Sequence, residues 1–427
     1  MSDATKFSLN VMINKDKNEV LFAEADNNFV DIVLNFLTLP LGRIIKVLHN
    51  HEAAAGIGSL TNLYHSLQDL DSSYFLTEGA KKALLNPTSS SESEYNMLKV
   101  DITDSPPPEY FKCSKCPNSG KTANKRSETG SGGVYTTHVS SFIISDDLRI
   151  LPSDKGYSNT ISFLRIRDSD KAETINVDFG FNEVIKLLKA SLTSQSPLSE
   201  VILNQTGQMN YMVSKPEIAM EQNPNSKNIS LKVLIQKSTG KLLYALAKED
   251  FVEFLFSLLN IPLGGVEHLF VSSTSVKAID NLHQSASYLI GDDHFKSLDT
   301  KNKLIKPNVV HDCISKNHII PLTQEGMPNY SWLCTHKFPR GKGSYVEGPR
   351  TYQVKDDLTV TPYSCAAVLS SVLDQKILLS DVGEVEVQIG LKEALCILRA
   401  SLTSTSALTD ALLEFTSTNN QSEKSES

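Results

Sequence analysis

The sequence predicts an α+β protein built from two tandem units of the same design. Three observations predict it. The run from Phe7 to Gly42 aligns without a gap on Ile229 to Gly264, and Lys189 to Ser194 (KASLTS) recurs as Arg399 to Ser404 (RASLTS). Both copies open on alternating apolar residues, Leu9, Val11 and Ile13 in one and Leu231, Val233 and Ile235 in the other. Alternation puts three apolar side chains on one face of a strand. An almost wholly apolar stretch then follows in each, Phe29 to Leu39 and Phe251 to Ile261. That pattern reads as a helix buried on most sides.

The elements follow in order. The first hairpin turns at Lys15 to Asn18 and its counterpart at Lys237 to Gly240, where the glycine accepts a positive φ. Second strands are expected at Val20 to Ala23 and Leu242 to Ala245. Asp250 with Glu253 reads as an N-cap and its capping-box partner, with Asn28 and Asp31 as the matching pair. Pro40 and Pro262 stop the buried helices, because proline donates no backbone hydrogen bond. A further helix carries Leu60, Leu63, Tyr64, Leu67 and Leu70, matched by Ile279, Leu282 and Leu289, with Asn62 against Asn281.

Both copies then become irregular, across the proline run at Pro106 to Pro108 and Cys113 to Gly133, and again across Lys301 to Gly348. The pattern resumes at Asp146-Asp147-Leu148 and Asp356-Asp357-Leu358. Strands near Thr174 to Phe179 and Glu384 to Ile389, and closing helices from Phe181 and Leu391, complete each unit. The expected organisation is a first unit at 1–204, a polar linker at 205–228, a second unit at 229–415 and a disordered tail at 416–427. Each unit is expected to enclose its own apolar interior.

Composition bounds the function classes. A chain of 427 residues is too long for one ordinary core. Hydrophobic content of 40% with 21% charge is that of a soluble globular protein. The net charge of −8 argues against a general nucleic-acid binder, whose footprint is basic. No signal pattern opens the chain, and the longest apolar runs are about half the ~20 residues a membrane span needs. Six unevenly spaced cysteines make no disulfide framework, so an intracellular, cytoplasmic, reducing setting is expected.

These motifs resemble a plant family known as domain of unknown function 674. The resemblance rests on Ala23 to Ala25, Phe29 to Asp31, the Leu-Thr-Leu-Pro-Leu-Gly of Leu37 to Gly42, Asn62 to Tyr64, the Asp-Asp-Leu triplets and the Ala-Ser-Leu-Thr-Ser helix. It covers nearly the whole chain. It implies no activity, but it does imply that family members carry cysteines in the middle loop that resemble a small zinc-binding element.

Candidate chemistry is sparse. Cys113 and Cys116 have the spacing of a zinc knuckle, yet tetrahedral zinc takes four ligands and no second Cys-x-x-Cys follows. His138 is the nearest later candidate, and Cys313, His311, Cys334 and His336 lie far on. The pair is therefore read as an incomplete metal site, with no other cofactor expected. Gly120-Lys121-Thr122 lacks the earlier glycine of a phosphate loop, since Lys115 stands there. Gly56-x-Gly58 lacks the third glycine of a dinucleotide turn, and His51-Glu52 meets Ala55 where a second zinc-protease histidine would stand. The duplicated pairs Asp146-Asp147 and Asp356-Asp357 could be paired carboxylates for metal or acid–base work. A turn or strand-entry role is the preferred reading. Lys112 to Arg126 holds five basic residues and no acid, and reads as a solvated loop; Trp332 is a contact candidate.

The repeated positions are apolar, turn or capping residues, which suit packing rather than catalysis. The expectation is a non-enzymatic module that binds a protein partner. Two alternatives stand beside it. One is an enzyme or small-ligand protein with a site between the copies. The other is a degenerate zinc knuckle touching nucleic acid.

Overall fold

The computed structural model describes residues 5–51, 56–104, 133–137, 141–164, 171–205, 228–270, 274–307, 309, 319–321 and 344–413. The first half runs β1 (Phe7–Asn14), β2 (Glu19–Ala25), α1 (Asn27–Asn35), α2 (Leu41–His51), α3 (Leu60–Asp69), α4 (Glu78–Leu85), α5 (Glu92–Tyr95), β3 (Phe142–Ser145), β4 (Ile150–Pro152), α6 (Tyr157–Leu164), β5 (Ala172–Phe179), α7 (Phe181–Thr193) and α8 (Pro197–Leu203). The second runs β6 (Ile229–Gln236), β7 (Leu242–Lys248), α9 (Glu249–Leu258), α10 (Leu263–Leu269), α11 (Lys277–Gln284), α12 (Leu298–Ile305), β8 (Thr351–Lys355), β9 (Val360–Pro362), α13 (Cys365–Asp374), β10 (Val382–Ile389) and α14 (Leu391–Thr403). A helical turn at 407–413 stands where α8 stands in the first half.

Each half builds one five-stranded antiparallel sheet, in the order β4-β3-β2-β1-β5 and its equivalent β9-β8-β7-β6-β10. The alternation read from the sequence sets the faces. Phe7, Leu9 and Val11 are buried while Ser8 and Asn10 are exposed. Gly240 takes the positive φ of its turn, at 74°. The α+β class and both hairpins are as expected. Helices α6 and α13, which link the last two strands of each sheet, are additions to the expected elements.

The capping boxes fall elsewhere than expected. Asp26 caps α1 by accepting from the Phe29 amide at 3.0 Å, while Asp31 and Glu253 are buried side chains. Carboxylates that do reach back to the start of a helix are Glu183 and Glu393, each accepting from a glycine amide (Gly180, Gly390) at 2.9 Å.

The expectation of two separate interiors is not met. Buried apolar residues of both halves form one continuous cluster, from Phe7 to Leu412. The reason is an exchange of helices. Asn62 and Ser66 of α3 bond to the second half, Asn62 to the Asp357 carbonyl and Ser66 to the Val360 amide. Asn281 of α11 and the adjoining Ser285 bond reciprocally to the Asp147 carbonyl and the Ile150 amide. The loops agree: Leu76 donates to Tyr345 and Glu347 to Tyr74, as Lys296 does to Tyr135 and Thr137 to His294. Each contact has its counterpart with the halves reversed, which is the signature of an isologous, two-fold interface.

The approximate axis passes by the two prolines. Pro40 and Pro262 pair as a short antiparallel bridge, with Leu41 donating to Ile261 and Leu263 to Leu39. The backbones approach so closely that a Cβ on Gly264 would lie 2.3 Å from the Leu304 carbonyl oxygen and 3.0 Å from that of Leu37. Gly58, at φ 45°, likewise packs on α14, and its Cβ would meet the Ser401 carbonyl at 2.5 Å. Both glycines are demanded by proximity.

Candidate functional site

A cluster of buried polar residues lies in the first half, where α1 turns towards α2. Three polar side chains, Asp31, Asn35 and Thr38, stand on this otherwise apolar stretch and are at most 1% exposed. Segments 89–95 and 133–137 supply their partners. The Asp31 carboxylate accepts from the Thr136 amide at 3.0 Å, the Thr136 hydroxyl at 2.8 Å, and the Val134 amide. Asp31 thereby fixes the stretch 133–137 against α1. Burial pushes its carboxyl up to about 6, although these hydrogen bonds pull it down.

A chain of hydroxyls runs on from there. Tyr135 donates to Asn35 Oδ1 at 2.6 Å, and Thr38 Oγ1 lies 2.9 Å from the same oxygen and 3.2 Å from the Tyr95 hydroxyl. Tyr95 and Ser89 both donate to the Thr38 carbonyl, at 2.8 and 3.0 Å. Arg43 packs its guanidinium 5.6 Å from the Tyr95 ring centre and pairs with Glu92 at 2.6 Å. Burial raises both phenols well above their ordinary range, so they act as neutral hydrogen-bonding groups. Asn35 Nδ2, Arg43 Nη1 and Ser91 Oγ find no partner among the described residues.

The second half provides an internal control. At the corresponding positions Glu253, Ser257, Asn260 and Gly265 replace Asp31, Asn35, Thr38 and Arg43. Glu253, also buried, accepts from the Ser344 hydroxyl at 2.6 Å much as Asp31 accepts from segment 133–137, so it is the arginine and the asparagine that are particular to the first half. The sequence reading missed this cluster by treating Asp31 as a cap. Comparing the halves in register would have found it, because Arg43 against Gly265 is a departure that packing does not explain.

The paired aspartates are brought to turns rather than to one another. Asp146 accepts from the Ser199 amide and hydroxyl, both at 2.7 Å, and Ser199 Oγ in turn accepts from the Val20 amide at 2.8 Å. Asp356 treats Thr409 identically, at 2.7 and 2.9 Å, and Thr409 accepts from the Leu242 amide at 3.0 Å. Asp147 pairs with Arg149 and Lys277, and Asp357 accepts from the Thr359 amide. Leu148 and Leu358 take left-handed conformations at 60° and 62°, completing the turns. These are clasps that bind the helix after α7, and its equivalent after α14, to the sheet. Burial pushes Asp146 up to about 6 and raises Asp356.

Cys113, Cys116, His138, the basic run Lys112 to Arg126, Trp332 and the second-half cysteines and histidines 311–336 lie outside the described residues. Among the described residues no group of three or more His, Cys, Asp or Glu is placed to hold a metal ion, and no helix is long and apolar enough to cross a membrane. Among the described residues no strand adjoins Gly56 or Gly58, and His51 pairs with Asp104 at 2.9 Å.

One surface feature stands apart. Helix α13 lies on the outer face of the second sheet, where Val368 and Val372 cover Leu243 and Tyr244. Its other side exposes Leu369 at 47% and Leu373 at 58%, continued by Leu378 at 72% and Leu379 at 58%. The equivalent helix α6 has Ile161 at 36%.

No curated protein matches this chain, and no solved structure does. A family model does match, in three segments covering residues 3–125, 117–340 and 335–427. The chain therefore belongs to the family described as protein of unknown function (DUF674).

Proposed function

We propose that this chain is a non-enzymatic protein-interaction module made of two copies of one unit, of the plant type its motifs resemble. The observation that carries this reading is the leucine strip on α13 and the turn after it. Contiguous apolar surface of this kind marks interaction sites in soluble proteins. The duplicated aspartates, the best catalytic candidates in the sequence, are engaged in holding backbone. An intracellular setting goes with the reading, since a thiol outside any disulfide, such as that of exposed Cys365, persists under reducing conditions.

The test compares the full chain with a Leu373→Asp, Leu378→Asp variant. A protein captured by the full chain should rebind it when purified, and should lose at least about tenfold in affinity for the variant, about 1.4 kcal/mol. Equal binding by both would overturn the reading.

A small-ligand role is the second reading, favoured by the unpartnered buried donors on Asn35, Arg43 and Ser91. Donors of this type suit a carboxylate or phosphate oxygen. Thermal shifts with inorganic phosphate and small carboxylates, compared between the native chain and Arg43→Met, decide it. No shift specific to the native chain removes it.

A further inference from the structure

Glu267 on α10 and Asp280 on α11 are both buried, at 7% and 8% exposure. Thr274 stands between them. Its hydroxyl lies 2.7 Å from Glu267 Oε1 and 3.0 Å from Asp280 Oδ1, and its amide donates to that same Asp280 oxygen at 2.8 Å. A hydroxyl carries one proton and can donate to only one of two carboxylates. The second short contact is favourable only when the other carboxyl is itself a donor. Two carboxylates so confined do not both ionise readily.

Several titratable groups on described helices surround the pair, and the Asp280 charge acts on His283. His268 lies on α10 itself and His283 on α11; burial holds both below the ordinary imidazole range. The His283 ring is already engaged with the Ile305 carbonyl of α12 at 2.9 Å. Lys306, just past α12, acts on His268. Helix α7, packed against α11, carries Glu183, Lys186 and Lys189. Burial, and then the Asp280 charge, raises Glu267 well above the usual carboxylate range.

We propose that Glu267 and Asp280 share a proton, and that this pair is a pH-sensitive latch holding α11 in its place across the other half. Helix α11 carries Asn281, and Ser285 follows it. These two residues bond to the first half. Losing the shared proton sets two buried anions against each other at the elbow that delivers α11. The latch is one-sided, because Ile45 and Thr61 occupy the equivalent positions in the first half.

The sign follows from linkage. A carboxyl raised in the folded state stabilises fully below its unfolded value of about 4.3, and that contribution is lost as pH rises through the folded value. The experiment is urea unfolding of the full chain between about pH 5 and about pH 9, for the native protein and Glu267→Gln. The native unfolding constant is expected to rise at least about tenfold more than that of the variant, the equivalent of one pKa unit. Hydrogen exchange of the Ile150 amide, which Ser285 protects, should accelerate in parallel in the native chain only. Superimposable pH profiles would overturn the latch. Should Glu267→Gln fail to fold, Asp280→Asn makes the same comparison, with the same outcome decisive.

Discussion

Ser66 Oγ accepts the backbone N–H of Val360 at 2.9 Å, across 294 residues of chain. Its equivalent, Ser285, does the same for Ile150 at 2.9 Å. Each serine also donates to the carbonyl four residues earlier in its own helix, at 2.7 Å. One hydroxyl thus uses its proton at home and its lone pair on the other half. Alanine at Ser66 or Ser285 leaves a buried amide without an acceptor. Each is expected to cost about 1–3 kcal/mol in urea unfolding. A change within about 0.5 kcal/mol, the range of an ordinary surface substitution, would show that the exchange contact is dispensable.

The continuous core makes a second prediction. A protease site placed within residues 206–227 and cut after folding should leave the halves together on gel filtration. The apolar surface of each is closed by a helix of the other, and separating them would expose it to water. Separation into two folded monomers contradicts the interlock.

The aspartate clasps predict a structural phenotype. Thr409→Val removes the hydroxyl that joins Asp356 to the Leu242 amide, and is expected to destabilise by roughly 1–3 kcal/mol. Ser199→Ala should do the same through Asp146 and Val20. Unaltered unfolding midpoints would return the paired aspartates to consideration as functional groups.

Asp31 predicts a pH dependence. Its folded value of about 6 lies above an unfolded value of about 3.9. Its contribution is therefore full below about pH 4 and is lost as pH rises through about 6. A shift of this size corresponds to no more than ~3 kcal/mol. The native chain should lose stability relative to Asp31→Asn between about pH 4 and about pH 7. Parallel profiles would mean that the hydrogen bonds from Val134 and Thr136 outweigh burial.

The spacing of Cys113 and Cys116 offers only two of the four ligands that tetrahedral zinc takes. Metal analysis of the purified chain is expected to give well under one zinc per molecule. A full equivalent, lost in Cys113→Ser, would point to ligands drawn from elsewhere in the chain.

The amino-acid sequence alone determined the local pieces: the alternation of Leu9, Val11 and Ile13, the buried helices before Pro40 and Pro262, the closing helices, and the repetition of all of them. These depend on periodicity and backbone chemistry, which act over a few residues. It did not determine where a helix packs. Nothing in Leu60, Leu63 and Leu67 says whether the sheet they cover is their own or the other half's, because apolar burial has no address. Ser66 with Val360, Glu267 with Asp280, and Arg43 with Glu92 and Tyr95 arise only when the chain closes on itself. The tertiary structure decided that the two halves are one interlocked body, because each leaves open an apolar face that only the other's helix fills.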